Sequence, residues 1–270
     1  MLTLPALNEI QSDADLKVCC AAVYQSQWAR LLLGESFHPG GLALTRRIGE
    51  LLDLRPSDRI LDVASGQGTS AIFLAQEFGC TVVGVDYGPE SVTQANEAAR
   101  AAGLADRVQF EQGDAERLPF PDGSFAAVIC ECAFCTFPNK AVAAAEFYRI
   151  LGDNGRIALS DLTRHGPLPP ELESLIAWIA CIADAQPLAR YEALLQAAGF
   201  HLTGAESHDE ALAELVRSVQ GKLLAAELMV KLGKLDLPEA DFVQAKQIAK
   251  SAATAVRQGQ LGYVIVTAVR

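Results

Sequence analysis

The feature that most restricts the fold is a short apolar segment, residues 60–63, that leads directly into a turn with two glycines, Gly66 and Gly68. A segment with helical spacing follows over residues 69–78. Glycine lets the backbone turn sharply and lets a ligand approach closely, and a strand followed by a helix places such a turn at the carboxyl edge of a sheet. The pattern therefore predicts a strand, a ligand-binding turn and a helix, in that order.

The same order of strand and helix repeats along the chain. Further apolar segments typical of strands lie at residues 81–85, 108–111, 126–130, 156–160, 200–203 and 262–269. Helical spacing is found at residues 42–52, 90–102, 140–151, 171–183 and 189–198. Strands that alternate with helices form a parallel sheet with helices on both faces. The sequence thus predicts an α/β, doubly wound, mostly parallel seven-stranded sheet whose last strand is antiparallel.

Helical segments at both ends of the chain add to this sheet. We expect an N-terminal helical cap over residues 1–41 and a core over residues 42–165. Residues 166–270 should form a helical cover and the final strands that complete the sheet. Within this part, a C-terminal helical insertion over residues 208–258 is long enough to cover a pocket or to form a dimer contact. The predicted organisation is one domain with additions, either monomeric or homodimeric.

Composition narrows the classes of partner. The formal net charge is −11, and the acidic residues are dispersed, which argues against binding to a phosphate backbone. The N-terminal residues are polar and acidic rather than a basic start with an apolar run, and no stretch is apolar enough for a membrane span. We therefore expect a cytoplasmic protein that binds neither nucleic acid nor membrane. Its seven cysteines are then core residues, metal ligands or reactive thiols rather than disulfides.

Carboxylates end three successive predicted strands, at Asp62, Asp86 and Asp114. Because the carboxyl ends of parallel strands share one edge, these acids should lie close together, and burying acids without partners is costly. A carboxylate after the second strand suits a ribose diol, so the edge is predicted to bind a nucleoside. A dehydrogenase that uses a nicotinamide cofactor is one alternative. The missing third glycine and the added Asp114 argue against it.

These residues resemble the Rossmann-like class I S-adenosylmethionine-dependent methyltransferases. The resemblance implies S-adenosyl-L-methionine as the cofactor, with Asp62 beside its methionine amine, Asp86 on its ribose hydroxyls, and Asp114 with the amide of Ala115 on its adenine. The expected cofactor-binding residues are Asp62, Ala64, Gly66, Gly68, Asp86, Tyr87, Asp114, Ala115, Glu116 and Cys130.

Three cysteines, Cys130, Cys132 and Cys135, lie within six positions at the end of the fourth predicted strand. A single cysteine is most often a small core residue, but clustered thiols are typical of sites for thiophilic metals or metalloids. The segment resembles the arsenite methyltransferases, which implies that Cys132 and the later Cys181 bind the acceptor. The third cysteine of that family is replaced by the sequence His38-Pro39-Gly40-Gly41.

The resemblance implies methyl transfer to a soft, thiol-bound acceptor such as trivalent arsenic. The expected metalloid ligands are Cys132, Cys181 and Cys20, and the wider catalytic set adds Cys19 and Cys135. A cellular thiol is a possible partner, and no general base is needed because the arsenic lone pair carries no proton.

Two alternatives remain open at this point. The first is a methyltransferase for a small organic acceptor at oxygen, nitrogen, carbon or sulfur, which needs a base such as Glu131, His38, His165 or Tyr24. The second is a non-catalytic thiol sensor that binds S-adenosylmethionine.

Overall fold

The computed structural model describes residues 12–26, 31–32, 34, 37–173, 177, 181–235 and 239–270. Its centre is a seven-stranded sheet in the order β3-β2-β1-β4-β5-β7-β6. The strands are β1 Arg59–Val63, β2 Thr81–Asp86, β3 Val108–Gln112, β4 Phe125–Glu131, β5 Leu151–Arg164, β6 His201–Ser207 and β7 Leu261–Val269. Neighbours from β3 to β5 pair in parallel, whereas β7 pairs antiparallel with β5 and β6. The predicted sheet, with its antiparallel last strand, is confirmed.

Helices cover both faces of this sheet. The described helices are α1 Asp13–Gln25, α2 Gly41–Leu51, α3 Thr69–Phe78, α4 Pro89–Ala101, α5 Lys140–Ile150, α6 Leu188–Ala198, α7 Asp209–Lys231 and α8 Glu239–Arg257. Apolar residues of α2, α3 and α4 share one buried cluster with β1 and β2, and those of α5 and α6 share another with β4 and β5. Buried apolar residues on both faces explain why the central strands are continuously hydrophobic.

The C-terminal insertion consists of α7 and α8, which lie between β6 and β7 in the chain. Leu212 of α7 and Ile248 of α8 share a buried cluster with Tyr263 of β7, and this cluster also contains Cys135 and Cys181. The insertion therefore supports the chain segments that carry two of the predicted site cysteines. Within the described residues, no helix has the length and hydrophobicity needed to cross a membrane.

Two predicted element boundaries are wrong. Residues 152–155, which separate the predicted helix at 140–151 from the predicted strand at 156–160, belong to β5, where the pairing with β4 passes from Leu151 to Arg156. The helix expected over residues 171–183 does not reach its predicted end. Pro170–Glu173 is a 3₁₀ turn, residues 181–184 are not helical, and residues 174–176 and 178–180 lie outside the described residues.

The backbone of Cys181 is left-handed, with a φ of +63°. The amide of Ile182 donates to the carbonyl oxygen of Ala177 at 2.8 Å, a pattern that closes helix C-termini. Glycine usually occupies such a left-handed position, so a cysteine there gave no sequence signal for a helix end. Of the predicted cap, α1 is observed, and residues 1–11 and 27–30 lie outside the described residues.

Candidate active site

A cavity lies at the carboxyl edge of the parallel strands, between the glycine turn, α1 and the end of β4. Its lining includes seven of the predicted site residues, namely Cys20, Asp62, Ala64, Gly66, Asp86, Tyr87 and Cys132. Lys17, Tyr24, His38 and Glu131 also line it. Predicted cofactor residues and predicted acceptor residues therefore meet in one cavity.

Asp86 shapes the glycine turn. Its Oδ2 accepts the amide hydrogen of Gly66 at 2.8 Å, and its Oδ1 accepts that of Gly88 at 2.8 Å. Burial raises the pKa of Asp86, and these two N–H donors partly oppose that rise. The carboxylate thus fixes the turn and remains at the cavity wall.

Asp62 contributes a buried carboxyl group with an unpaired oxygen to the same cavity. Its side chain is 2% exposed, and its Oδ2 has no hydrogen-bond partner among the described residues. Burial, followed by repulsion from Glu131 and Asp86, raises the pKa of Asp62. Two further cavity residues, Ser65 and Gln67, also have buried polar atoms without a described partner. Such atoms fit a ligand with an ammonium group and several polar groups, as the methionine moiety of S-adenosylmethionine has.

Gly68, a predicted cofactor-binding residue, packs against an aromatic ring instead of facing the cavity. It does not line the cavity, and an added Cβ would lie 2.4 Å from Cζ of Phe110. The same ring would also contact a Cβ at Gly84, at 2.2 Å from Cδ1. Gly68 has a φ of +80° at the N-terminus of α3. It therefore serves close packing between the turn and β3, as well as the left-handed backbone conformation of the turn.

Asp114 and Glu116 meet a cation that the sequence analysis did not identify. The Nζ of Lys17, on α1, donates to Asp114 at 2.8 and 3.0 Å and to Glu116 at 2.7 Å. Glu116 also accepts the amide hydrogen of Asn139. The neighbouring Ala115 packs against the buried cluster of β4 and β5. The carboxylates expected at the adenine end thus hold α1 over the cavity.

The side chain of Cys130, a predicted cofactor-binding residue, lies apart from the cavity. Its side chain is 0% exposed, and it belongs to the hydrophobic cluster that includes Val128 on one face of β4. Side chains alternate along a strand, so Glu131 points elsewhere and lines the cavity. The side chain of Cys130 therefore packs in the core and does not line the cavity.

Cys132, Cys135 and Cys181 form a group of thiols at the acceptor side. The sulfur atoms of Cys132 and Cys181 lie within 4.8 Å of each other, and Cys181 Sγ lies 3.1 Å from the carbonyl oxygen of Cys132. The hydroxyl of Tyr24 lies 3.7 Å from Cys181 Sγ. Cys132 and Cys181 both have left-handed backbones, with φ values of +53° and +63°. Two strained positions thus bring two sulfurs together.

Hydrogen bonds shift the pKa values of these thiols in opposite directions. Hydrogen bonds with Cys132, Cys135 and Tyr24 lower the pKa of Cys181. The hydrogen bond with Cys181 is the main cause that raises the pKa of Cys132. The Sγ of Cys181 also donates to the carbonyl oxygen of Cys132 at 3.1 Å, which favours the protonated form. Among the three thiols, Cys181 is the one whose pKa is lowered, whereas the pKa values of Cys132 and Cys135 are raised.

The cysteines of α1 divide into one that faces the cavity and one that does not. Cys20 lines the cavity, and burial raises its pKa. Cys19, one residue earlier and about 100° away around the helix, is 7% exposed and packs against Leu16 and Val23. The expectation that Cys19 belongs to the site is not supported by its position. Cys135 and Cys181 are both buried, and neither is among the residues that line the cavity.

Potential bases also gather at the cavity. Glu131 accepts hydrogen bonds from the hydroxyl of Thr45 at 3.1 and 3.2 Å, and its carboxylate lies 3.6 Å from Nε2 of His38. Tyr24 lines the cavity beside them, whereas His165 is an exposed residue after β5 and is not among the lining residues. Of the predicted bases, Glu131, His38 and Tyr24 are brought together and His165 is not.

Comparison with known proteins places this geometry in a family. A family model described as "Methyltransferase domain" matches residues 54–210. Similar proteins include an arsenite methyltransferase of Halobacterium salinarum, 32% identical over 58% of this chain and 41% of that protein. Another is the 27-O-demethylrifamycin SV methyltransferase of Amycolatopsis mediterranei, 29% identical over 99% of this chain and 98% of that protein. The chain spans 59% of the methyltransferase GfsG of Streptomyces halstedii, at 30% identity over 60% of this chain.

Solved structures show the same fold. Phosphoethanolamine N-methyltransferase 2 of Haemonchus contortus, in complex with phosphomonomethylethanolamine and S-adenosylhomocysteine, has a TM-score of 0.79 and 19% identity. That match covers 97% of this chain and 61% of the other. These relatives are named for several different acceptors, so they do not identify the acceptor of this chain. All of them are methyltransferases, which agrees with S-adenosylmethionine as the cofactor. The sheet, the glycine turn with its carboxylates and the matched family model together show that this chain belongs to the class I S-adenosylmethionine-dependent methyltransferases.

Proposed function

We propose that this protein transfers the methyl group of S-adenosylmethionine to a soft acceptor, such as trivalent arsenic, held by Cys132 and Cys181. The observation that carries the proposal is the position of the two sulfurs. They lie within 4.8 Å of each other, and Cys132 lines the cavity that Asp62, Gly66 and Asp86 also line. Two thiols at that separation suit one thiophilic atom.

The cofactor side of the cavity is suited to its ligand. Asp62 would pair its free oxygen with the methionine ammonium, and Asp86 would accept from the ribose hydroxyls. The third carboxylate, Asp114, would share its oxygens between Lys17 and the adenine amino group. S-adenosylmethionine supplies an electrophilic methyl group on a positively charged sulfur.

The acceptor side needs thiols rather than a base. Cys181 and Cys132 would each form one sulfur bond to the acceptor, and their protons would leave with the hydroxide or thiol that they displace. Cys20 lines the same cavity and stays the proposed third ligand, with a cellular thiol as the alternative. Positioning the acceptor lone pair in line with the methyl group would then supply most of the rate enhancement.

The proposal is tested by incubating the purified protein with S-adenosylmethionine, glutathione and arsenite and separating the methylated arsenic species. Cys132→Ser and Cys181→Ser should each lower methylation at least about a hundredfold, because each removes a direct ligand. Cys80→Ala is the matched control, since Cys80 lies in the opposite face of the core. Calorimetric binding of S-adenosylmethionine by each variant shows that it is folded. Arsenite methylation by Cys132→Ser at the wild-type rate would contradict the proposal.

A second candidate function is methylation of a small organic acceptor that carries a proton. The buried carboxylate of Glu131, bonded to Thr45 and beside His38 at the cavity, favours it. A relative that spans the whole chain is named for 27-O-demethylrifamycin, which suggests a hydroxyl acceptor. A panel of small alcohols and amines distinguishes the two functions. Glu131→Gln should abolish methylation of such an acceptor and leave arsenite methylation in place. Cofactor binding without turnover of either acceptor would instead indicate a thiol sensor.

A further inference from the structure

Asp161 lies on β5, beside the two cysteines of the proposed acceptor site. Its side chain is 2% exposed. One oxygen accepts the amide hydrogen of Cys135 at 2.7 Å, and the other accepts that of Leu162 at 2.8 Å. A carboxylate oxygen of Asp161 and the sulfurs of Cys132 and Cys181 all lie within 4.8 Å of one another. Two thiols and one carboxylate therefore converge on a common point.

The separation of these three atoms is close to that of ligands around one metal ion. Zinc binds cysteine sulfur at about 2.3 Å and carboxylate oxygen at about 2.0–2.2 Å in tetrahedral geometry, so its ligand atoms lie roughly 3.5–4 Å apart. Small side-chain rotations would bring the three atoms from their present separation to that range. The donor set also has the right chemistry, since thiolates select zinc-group cations and carboxylates accompany them.

Charge supports the same conclusion. Asp161 has two backbone N–H donors and no ion-pair partner within the described part of the chain. A buried carboxylate without a cation is costly, and a divalent cation at the point between the three donors would balance its charge.

We propose that Cys132, Cys181 and Asp161 form a binding site for a thiophilic divalent cation of the zinc group, which competes with the methyl acceptor for the two sulfurs. Cys132 faces the cavity and supplies the route of entry. Binding replaces the two thiol protons, which leave to solvent, and a fourth coordination position stays open to water or to a small thiol. The site shares its cysteines with the proposed function but does not depend on methyl transfer.

Cadmium is the probe for this site, because its bonds to thiolates absorb in the ultraviolet. The full chain, reduced and freed of metal with a chelator, should bind one Cd²⁺. The ultraviolet absorbance that appears should correspond to two Cd²⁺–thiolate bonds. Cys132→Ser and Cys181→Ser should each weaken binding at least about a hundredfold, and Asp161→Asn at least about tenfold, because each removes one ligand. Cys80→Ala should bind like the wild type. Unchanged affinity in Asp161→Asn, or no binding by the wild type, would overturn the proposal.

A second measurement covers the case in which Asp161→Asn does not fold, which circular dichroism would reveal. X-ray absorption at the cadmium edge of the wild-type complex reads the ligand set directly. Two sulfur donors with oxygen donors support the site. Three sulfur donors would assign the third position to Cys135 or Cys20 and overturn the role of Asp161.

The outcomes also separate this inference from the proposed function. Cd²⁺ should inhibit arsenite methylation, and arsenite should raise the apparent Kd for Cd²⁺. If Cd²⁺ binds through the three residues and arsenite is not methylated, the proposed function fails alone. If arsenite is methylated and Cd²⁺ does not bind, the cation site fails alone.

Discussion

Substitution of Gly68 by alanine should destabilise the fold through two separable effects. The first is backbone strain, because Gly68 has a φ of +80°, and an L-residue in the left-handed region costs about 1–2 kcal/mol. The second is overpacking, because the new Cβ would lie 2.4 Å from Cζ of Phe110, and forced contacts of this kind cost about 1–3 kcal/mol. Reduced freedom of the unfolded chain returns about 0.4–1 kcal/mol. The net loss in the free energy of unfolding is then about 1–5 kcal/mol.

Two matched substitutions separate these effects. Gly103 has a φ of +71° with no atom within 4 Å of an added Cβ, so Gly103→Ala carries only the backbone cost, about 1 kcal/mol after the unfolded-state gain. Gly84 is not among the positive-φ glycines, but its added Cβ would lie 2.2 Å from the Phe110 ring. Gly84→Ala therefore carries only the packing cost.

The assay is urea denaturation of the three variants, alone and combined with Phe110→Leu. The larger loss in Gly68→Ala than in Gly103→Ala should shrink when Phe110 is shortened. Gly84→Ala should be rescued only in part, because its added Cβ would also lie 2.7 Å from Oγ of Ser65. Phe110→Leu should not rescue Gly103→Ala. The reasoning is refuted if Gly68→Ala loses no more stability than Gly103→Ala, or if shortening Phe110 leaves the difference unchanged.

Three further predictions concern charged groups of the site. Asp86→Asn should weaken S-adenosylmethionine binding at least about tenfold by calorimetry, because an amide cannot accept both backbone hydrogens that the carboxylate accepts. Lys17→Met should release α1, so that a thiol reagent labels Cys132 about tenfold faster than in the wild type, with Lys17→Arg close to wild type; equal rates in Lys17→Met and the wild type would contradict this role. Burial raises the pKa of Asp161 to about 7, so the wild type should lose about 2 kcal/mol of unfolding free energy relative to Asp161→Asn as pH rises from about 5.5 to 8 without metal. A difference that does not change with pH would contradict that shift.

The sheet was predictable because its signals are local. Apolar runs such as residues 60–63 and the glycines that follow are contiguous in sequence, and their physical meaning does not depend on distant residues. The carboxylates of Asp62 and Asp86, at the ends of two predicted strands, could be placed at one edge of the sheet from the parallel order alone. The cofactor followed from those positions.

The contacts of the site were less accessible because they join distant parts of the chain. Lys17 reaches Asp114 across 97 positions, and nothing in the pattern of α1 identifies one lysine as buried. The core position of the Cys130 side chain is a local signal, because strand alternation separates its face from that of Glu131. Asp161 ends no recognisable motif, and its closeness to Cys181 depends on a left-handed turn that a cysteine does not signal.

The left-handed backbones of Cys132 and Cys181 have a consequence for how this chain can change over evolutionary time. Glycine would relieve the backbone strain at either position by about 1–2 kcal/mol, of which the greater freedom of the unfolded chain takes back about 0.4–1 kcal/mol, and it would also remove the thiol. Selection for stability alone therefore favours losing these two sulfurs, so lineages that need no soft ligand should replace them with glycine. Cys132→Gly and Cys181→Gly should accordingly unfold at higher urea concentration than the corresponding serine variants, while lacking the same activity.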